Sequence, residues 1–189
     1  MEDGEVRVRL DDEVTKPLPI TKVRNALGKF WPDMLFPLTV LYSPLLRLRF
    51  RSALCCCCNQ VNLATHRIVF STPVEAPNRL AVEMEQFKVE PPLGSVYVKN
   101  CECRSATDGL VDLFQDCKEV IVSGIVKLPE SEENPYTTLG VTMHVLGHLL
   151  GLTHSDDPGS IMYTNAKVRP QILSDKDADA LKRIYNNNL

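Results

Sequence analysis

The stretch HVLGHLLGLTH, from His144 to His154, carries the strongest structural signal in this sequence. His144 and His148 are four residues apart, so on a helix their rings would lie on one face, one turn apart. Gly151 allows the chain to turn sharply at the end of that helix, which would bring His154 back towards the other two. Three such imidazoles can bind one zinc ion and leave its fourth position open for water, an arrangement typical of catalytic zinc sites.

Ordinary histidines on a core helix are the alternative explanation of this pattern. Three of the chain's four histidines fall on it, which makes chance a poor explanation. Gly147 lies between the first two histidines, where it costs about 1 kcal/mol of helix stability relative to alanine. We therefore expect another backbone to approach the helix closely at Gly147. The fourth histidine, His66, is expected to have a core or surface role.

The sequence continues as HSDDPGSIMY, with Met162 eight residues after His154, and later as LSDKDADALKRIY. Together these segments resemble the metzincin zinc proteases, whose signature includes a methionine turn, and in particular the matrixins, the matrix metalloproteinase branch. The resemblance implies a zinc ion held by the three histidines, with Met162 as a hydrophobic base beneath it. It also implies that Asp177 is one of the family's paired acids on the last helix, where Lys176 replaces the other. A peptide or protein is the implied substrate or ligand.

One position departs from the family pattern. Val145 directly follows the first histidine, where the family has a glutamate that takes a proton from water and passes it to the leaving amine. General acid–base catalysis is typically worth about 10²–10⁴-fold in rate, and valine cannot perform it. The sequence therefore has no intact catalytic residue at this site, although zinc could still polarise a carbonyl group.

Three hypotheses about function follow, and they leave open whether the chain is an enzyme. The first is a zinc-binding matrixin-like domain, a pseudoenzyme with lost or much reduced peptide hydrolysis and a binding or decoy role. The second is an active zinc endopeptidase with a substitute base, for which the candidates are nearby acids: Asp156, Asp157, Glu130, Glu132 and Glu133. The third is an intracellular structural or interaction module that keeps the fold.

The order of predicted elements indicates an α+β domain. Alternating and helical periodicities predict the following elements: strands VRVRL (6–10), LRLRFR (46–51), HRIVF (66–70), SVYV (95–98) and VIVSGIV (120–126); a loop, STPVEAPNR (71–79); and helices over 20–31, 137–150 and 174–185. Ser174 and Asp177 form a capping box at the last helix. The resemblance implies a single zincin-like domain over residues 1–189, with a twisted, mostly parallel sheet, a long helix carrying the histidines and a C-terminal helix. Residues 55–118 diverge from the family.

Seven cysteines include the four consecutive residues Cys55 to Cys58. We expect these four to be small hydrophobes partly buried in a strand. The alternatives are palmitoylation beside the basic, apolar RLRFR segment and a soft-metal site shared with Cys101 and Cys103. Consecutive strand residues point to opposite faces, so all four could not bind one ion. The odd count is a poor disulfide framework, and mostly free cysteines are expected, as in a reducing compartment.

The composition is that of an ordinary globular protein, with 44% hydrophobic and 24% charged residues among 189. A net charge of −3 argues against nucleic acid as a partner. The most apolar stretch, Met34 to Leu46, is too short for a membrane span and contains two prolines. The N-terminus lacks an apolar signal segment, which predicts an intracellular chain, whereas the family resemblance points to an extracellular one. We expect a monomer.

Overall fold

The structure, a computed structural model, describes residues 6–9, 31, 35–66, 69–86, 89–101, 110–115, 121–130, 135–164 and 170–185. These residues form six strands and four helices, in this order: β1 (Val6–Arg9), β2 (Thr39–Tyr42), α1 (Leu48–Thr65), β3 (Val74–Glu75), α2 (Asn78–Gln86), β4 (Ser95–Cys101), β5 (Leu110–Gln115), β6 (Ile121–Pro129), α3 (Pro135–Leu149) and α4 (Asp175–Tyr185).

The strands form one sheet in the order β1-β5-β6-β4-β2-β3. β2 is parallel to β3 and β4, and β4 is parallel to β6, whereas β5 is antiparallel to both β6 and β1. The structure confirms the predicted fold class: an α+β domain with a mostly parallel sheet, a long helix that carries the histidines and a C-terminal helix.

The sheet buries both of its faces, because successive strand residues point to opposite sides. In β4, Val96 and Val98 belong to the larger core cluster, which also contains most of the buried apolar residues of α1 and α3. Tyr97, between them, belongs to a second cluster with Ala81 and Met84 of α2. The histidine helix therefore lies on the more heavily packed face of the sheet.

The prediction of a strand at LRLRFR is wrong, because α1 begins at Leu48. The buried residues of this helix are spaced by three and four, as in a helix packed along one stripe: Phe50, Ala53, Leu54, Cys57, Cys58, Val61 and Thr65. The alternating arginines do not mark two faces of a strand. The Arg51 guanidinium donates hydrogen bonds to the carbonyls of Pro44 and Leu46 in the preceding turn, at 2.5 and 2.8 Å.

Smaller differences concern the segments after α1. Phe70, the end of the predicted HRIVF strand, forms only an isolated parallel bridge with Leu38. The predicted loop at 71–79 contains the two-residue strand β3 and the start of α2. His66 is exposed and ends α1 in a left-handed conformation, with φ of 53°, so of the two roles expected for it, core or surface, the structure shows the surface one.

The predicted first helix, over residues 20–31, lies outside the described residues except for Trp31. The Trp31 side chain is buried and donates a hydrogen bond from Nε1 to the carbonyl of Leu149 at 2.9 Å. None of the helices that the structure describes is long and apolar enough to cross a membrane.

The cysteines differ in part from expectation. Cys55 to Cys58 are free thiols, as predicted, but they lie on a helix, with Cys57 and Cys58 buried and Cys56 exposed. Cys101, at the end of β4, is disulfide-bonded. The chain therefore contains both free and bridged cysteines.

Candidate metal centre

The two histidines of α3 are held by a helix that is buried on nearly all sides. His144 is 0% exposed and His148 is 9% exposed. Because they are four residues apart, both rings project from the same face, and their ring centroids are 4.8 Å apart. Few side chains of this helix reach water, so the packing around it restricts the orientation of both rings.

Gly151 ends the helix and turns the chain back. Its φ of 95° lies in the left-handed region that favours glycine. Its N–H donates to the carbonyl of His148 at 2.9 Å, and the N–H of Leu152 donates to the carbonyl of Gly147 at 2.9 Å. After this turn His154 returns to the helix face, where its Nε2 atom lies 3.1 Å from Nε2 of His148. The predicted turn is thus observed.

The Nδ1 atoms of both helix histidines are engaged by backbone carbonyls. His144 Nδ1 lies 2.7 Å from the carbonyl oxygen of Ile161, and His148 Nδ1 lies 3.0 Å from that of Leu152. A carbonyl oxygen only accepts, so Nδ1 must carry the proton in each ring. That tautomer leaves the Nε2 lone pair available to a metal ion, as is usual for metal-ligating histidines.

The three rings fit a zinc ion. One ring nitrogen from each of His144, His148 and His154 lies within 4.8 Å of the other two. Tetrahedral zinc with nitrogen ligands at 2.0–2.1 Å places those nitrogens roughly 3.3 Å apart, close to the 3.1 Å between His148 and His154. Within the described ranges this is the one group of three or more His, Cys, Asp or Glu side chains close enough to share an ion. The cysteines of α1 form no such group there.

Met162 lies beneath the histidine helix, in the turn at Ser160–Tyr163. Its side chain is 1% exposed, and a Cβ atom added to Gly147 would collide with its sulfur. The group that lies against Gly147 is therefore a side chain, and the prediction that another backbone approaches it is wrong. The N–H of Ser155 donates to the carbonyl of Met162 at 2.9 Å, which joins the turn to the segment that carries His154.

Asp177 fixes that turn from the last helix. Its carboxylate accepts hydrogen bonds from the Ser160 hydroxyl at 2.5 Å and from the Ile161 N–H at 3.0 Å. It also accepts from the Ser174 hydroxyl at 2.6 Å and the Ser174 N–H at 3.2 Å, while the Asp177 N–H donates to the Ser174 hydroxyl at 3.2 Å. The predicted capping box is present. The hydrogen bonds from Ser160 and Ile161 of the turn to Asp177 could not be predicted from the spacing of residues in the sequence.

Val145 is 0% exposed and belongs to the main core cluster. One turn further along the same side of α3, Leu149 contacts the sheet, where its Cδ1 would lie 3.2 Å from a Cβ atom on Gly124. Position 145 thus lies between the histidine face and the sheet-facing side of the helix, about 100° around the axis from His144.

Of the described candidate acids, Asp157 and Glu130 have other partners, and Asp156 is exposed. Asp157 accepts hydrogen bonds from Lys176 Nζ at 2.6 Å and from the Gly159 N–H at 2.9 Å. The Lys176 hydrogen bond, followed by that of Gly159, lowers the pKa of Asp157 below its usual value. Glu130 forms an ion pair with Arg47 at 3.6 Å. Glu132 and Glu133 lie outside the described residues, and no described acid joins the group around the histidines.

Comparison with known proteins agrees with this geometry. Over 84 residues the chain is 32% identical to Metalloendoproteinase 1 of Glycine max, and the aligned part covers 43% of this chain and 27% of that protein. The chain thus matches about a quarter of that relative's length. Residues 85–186, more than half of the chain, match the Matrixin family, and they include the histidine helix, the turn with Met162 and the last helix. The chain belongs to the matrixin family.

Proposed function

We propose that this chain binds zinc through His144, His148 and His154, holds a peptide or protein segment beside that centre, and hydrolyses it slowly or not at all. The observation that carries the proposal is the pair of hydrogen bonds from Nδ1 of His144 and His148 to backbone carbonyls. They present the Nε2 atoms to one point in a buried environment. The similarity to a metalloendoproteinase supports a peptide as the class of ligand.

Zinc bound here would supply a Lewis acid for a peptide carbonyl. The chain's own residues would then do the remaining work. The carbonyls of Ile161 and Leu152 hold the rings in orientation, and Met162 fills the space under the helix at Gly147. Buried surroundings of this kind strengthen the electrostatic interactions of whatever is bound.

Val145 supports the second half of the proposal. We infer that it stands where matrixins place their general base, because it directly follows the first histidine on α3. Its side chain has no proton to give and no lone pair to accept one. Loss of a general base costs about 10²–10⁴-fold in rate, and cleavage of an amide also needs a proton for the leaving amine.

Asp157 and Glu130 do not favour a substitute base, and Asp156 is exposed and outside the group around the histidines. Asp157 is held by Lys176, and the lowered pKa that results makes it a weaker proton acceptor. Glu130 is paired with Arg47. We therefore favour a binding domain over an active endopeptidase. The experiment below also tests for the active endopeptidase.

A structural zinc site is a second candidate, favoured by burial. His144 is 0% exposed, and no more than 9% of His148 reaches solvent. A metal in such surroundings could stabilise the fold without meeting any ligand. In that case chelation would lower the melting temperature, while a peptide hydroxamate, which binds zinc through an open position, would neither bind nor protect the protein.

The test compares Val145→Glu with Val145→Gln at equal zinc occupancy. Both changes bury a polar group in the same place, so both should lower stability, by about 1–3 kcal/mol for an unpaired polar group. Only glutamate restores a carboxylate. We expect Val145→Glu to cleave a generic matrixin peptide about 10²–10⁴-fold faster than Val145→Gln and than the natural chain.

The other outcomes separate the hypotheses. If the natural chain already cleaves at the rate of Val145→Glu, another residue is the base and the proposal of lost hydrolysis is wrong. If neither the natural chain nor Val145→Glu cleaves the peptide but both bind the hydroxamate, the domain is a binding module. If the natural chain and Val145→Glu both carry zinc but neither binds the hydroxamate, the metal is structural.

A further inference from the structure

The amino-terminal strand β1 has a position that the proposed function does not use. It pairs antiparallel with β5, from Val6 opposite Leu113 to Arg9 opposite Leu110. The two strands are far apart in sequence, and β1 is the end strand of the sheet on this side. Without β1, the outward N–H and C=O groups of β5 would form an open strand edge.

The histidine helix packs against the sheet at the end where this edge lies. α3 contacts both β5 and β6. At Gly124 of β6, a Cβ atom would lie 3.2 Å from Leu149 of α3 and 3.4 Å from Leu113 of β5. Leu149 directly follows His148, so β5 lies close to the helix that carries the histidines.

α1 contacts α3 on another side, where Cys57 Sγ donates to the carbonyl of Leu139 at 3.7 Å. Leu139 lies about 140° around the helix axis from His144. The contact with α1 therefore lies on a different side of α3 from His144.

An edge strand is a template for extended peptides. A peptide that adds to such an edge uses main-chain hydrogen bonds for affinity, largely independent of its sequence. β1 uses the same groups of β5, so β1 and an added peptide exclude each other. β1 is only four residues long, and short terminal strands open at a low free-energy cost compared with the interior of a sheet.

We propose that β1 is an internal competitor. It occupies the outer edge of β5 as a displaceable stand-in for an extended peptide, and it keeps that edge covered until a peptide takes its place. This inference deepens the proposed function, on which it rests for the role of the histidine centre beside the edge. Strand exchange itself needs no metal, so it can be measured independently of zinc.

The test uses the full chain and a fluorescent peptide with the sequence of Glu5–Leu10 as the probe. In the variant Arg7→Pro/Val8→Pro, proline removes two backbone N–H groups of β1, one of which must face β5, because successive groups alternate in direction. The matched control, Arg7→Ala/Val8→Ala, changes the same side chains but keeps both N–H groups. We expect the proline variant to bind the probe at least tenfold more tightly than the natural chain, and the alanine variant to bind it within twofold of the natural chain.

Two results would overturn the inference. One is equal binding of the probe, or none, by the natural chain and the proline variant. The other is an equal gain in the alanine variant, which would mean that side chains rather than strand pairing exclude the probe. A probe with proline in place of both Arg7 and Val8 should bind none of the chains.

Hydrogen exchange on the natural chain gives a second measurement that needs no variant. The outward amides of β5 should exchange at least tenfold faster than those that join β4 to β6, and equal protection would contradict displacement. Zinc is measured on the same samples. If the chain contains no zinc but shows the tenfold difference in probe binding, the proposed zinc site is refuted and β1 remains a competitor. If the chain contains zinc but shows no such difference, the zinc site stands and the role of β1 as a competitor is refuted.

Discussion

A single carboxylate joins the turn at Met162 to the last helix. Asp177 accepts four hydrogen bonds, two from Ser160 and Ile161 and two from Ser174. The carbonyl of Ile161 in turn accepts the bond that orients His144. Asp177 therefore acts on the histidine centre through the turn, as a positioning residue that is not part of the histidine group.

We expect Asp177→Asn to destabilise the fold by about 2–3 kcal/mol, because an amide has one acceptor oxygen instead of two and bonds to a charged acceptor are the stronger kind. Zinc affinity should fall as well, since His144 loses its fixed orientation. Urea unfolding and a zinc titration measure the two effects. Asp179→Asn is the control, because Asp179 lies on the same helix with an exposed side chain. Equal effects of the two changes would contradict the assigned role.

Gly147 is the second residue on which the geometry depends. Alanine there gains about 1 kcal/mol of helix propensity but places a Cβ atom against the buried Met162 side chain, and overpacking costs about 1–3 kcal/mol. We expect Gly147→Ala to lower the free energy of unfolding overall. In a double-mutant cycle with Met162→Ala the two costs should not add, because truncation of Met162 makes room for the new methyl group. Additive costs would show that the two residues do not meet.

At the scale of elements, α1 shows why one prediction failed. The arginines alternate with apolar residues from Leu46 to Arg51, which resembles a strand with one polar face. The helical stripe becomes visible only when Cys57 and Cys58 are counted as core residues beside Phe50, Leu54 and Val61. Buried free cysteine behaves as a small hydrophobe, but the strand assignment placed the cysteines on alternate faces and hid the period of 3.6.

The thiols of α1 offer a test of its orientation. In the folded chain, iodoacetamide should label Cys56 first and leave Cys57 and Cys58 unmodified, because these two are buried. Burial, with a smaller contribution from neighbouring cysteines, raises the pKa of both buried thiols. Their contribution to stability is therefore complete below the pKa of an unfolded thiol, about 8.5, and is lost as the pH rises above it.

We accordingly expect the free energy of unfolding to fall above about pH 9, and to fall less steeply in Cys57→Ala/Cys58→Ala. Urea titrations at several pH values measure both slopes. Rapid labelling of Cys58 in the folded chain, or identical pH slopes, would show that these thiols are not packed in the core.

At the scale of the whole molecule, local patterns predicted half of the ten described elements but not their arrangement. β1, β4, β6, α3 and α4 follow from periodicity and caps within each segment. The pairing of Val6 with Leu113 joins parts of the chain that are far apart in sequence, and no local pattern encodes it. The histidine centre was predictable because a helix and one glycine turn bring its residues together within eleven positions, His144 to His154.

The packing around that centre could not be predicted in the same way. The spacing of the histidines contains no information on which carbonyls face Nδ1, or on the Met162 side chain under Gly147. The disulfide at Cys101 was also not expected. Since disulfides persist in oxidising environments, we propose that the chain works in such a compartment, which is the alternative that the family resemblance offered.

The zinc content of the purified chain, measured by elemental analysis after refolding with zinc, tests the central claim most directly. The account predicts close to one zinc per chain, and none in His148→Ala, which removes the ring whose Nε2 lies 3.1 Å from that of His154. His66→Ala should keep the zinc, because His66 lies at the exposed end of α1. A folded natural chain that carries no zinc, or a His148→Ala chain that retains it, would contradict the account.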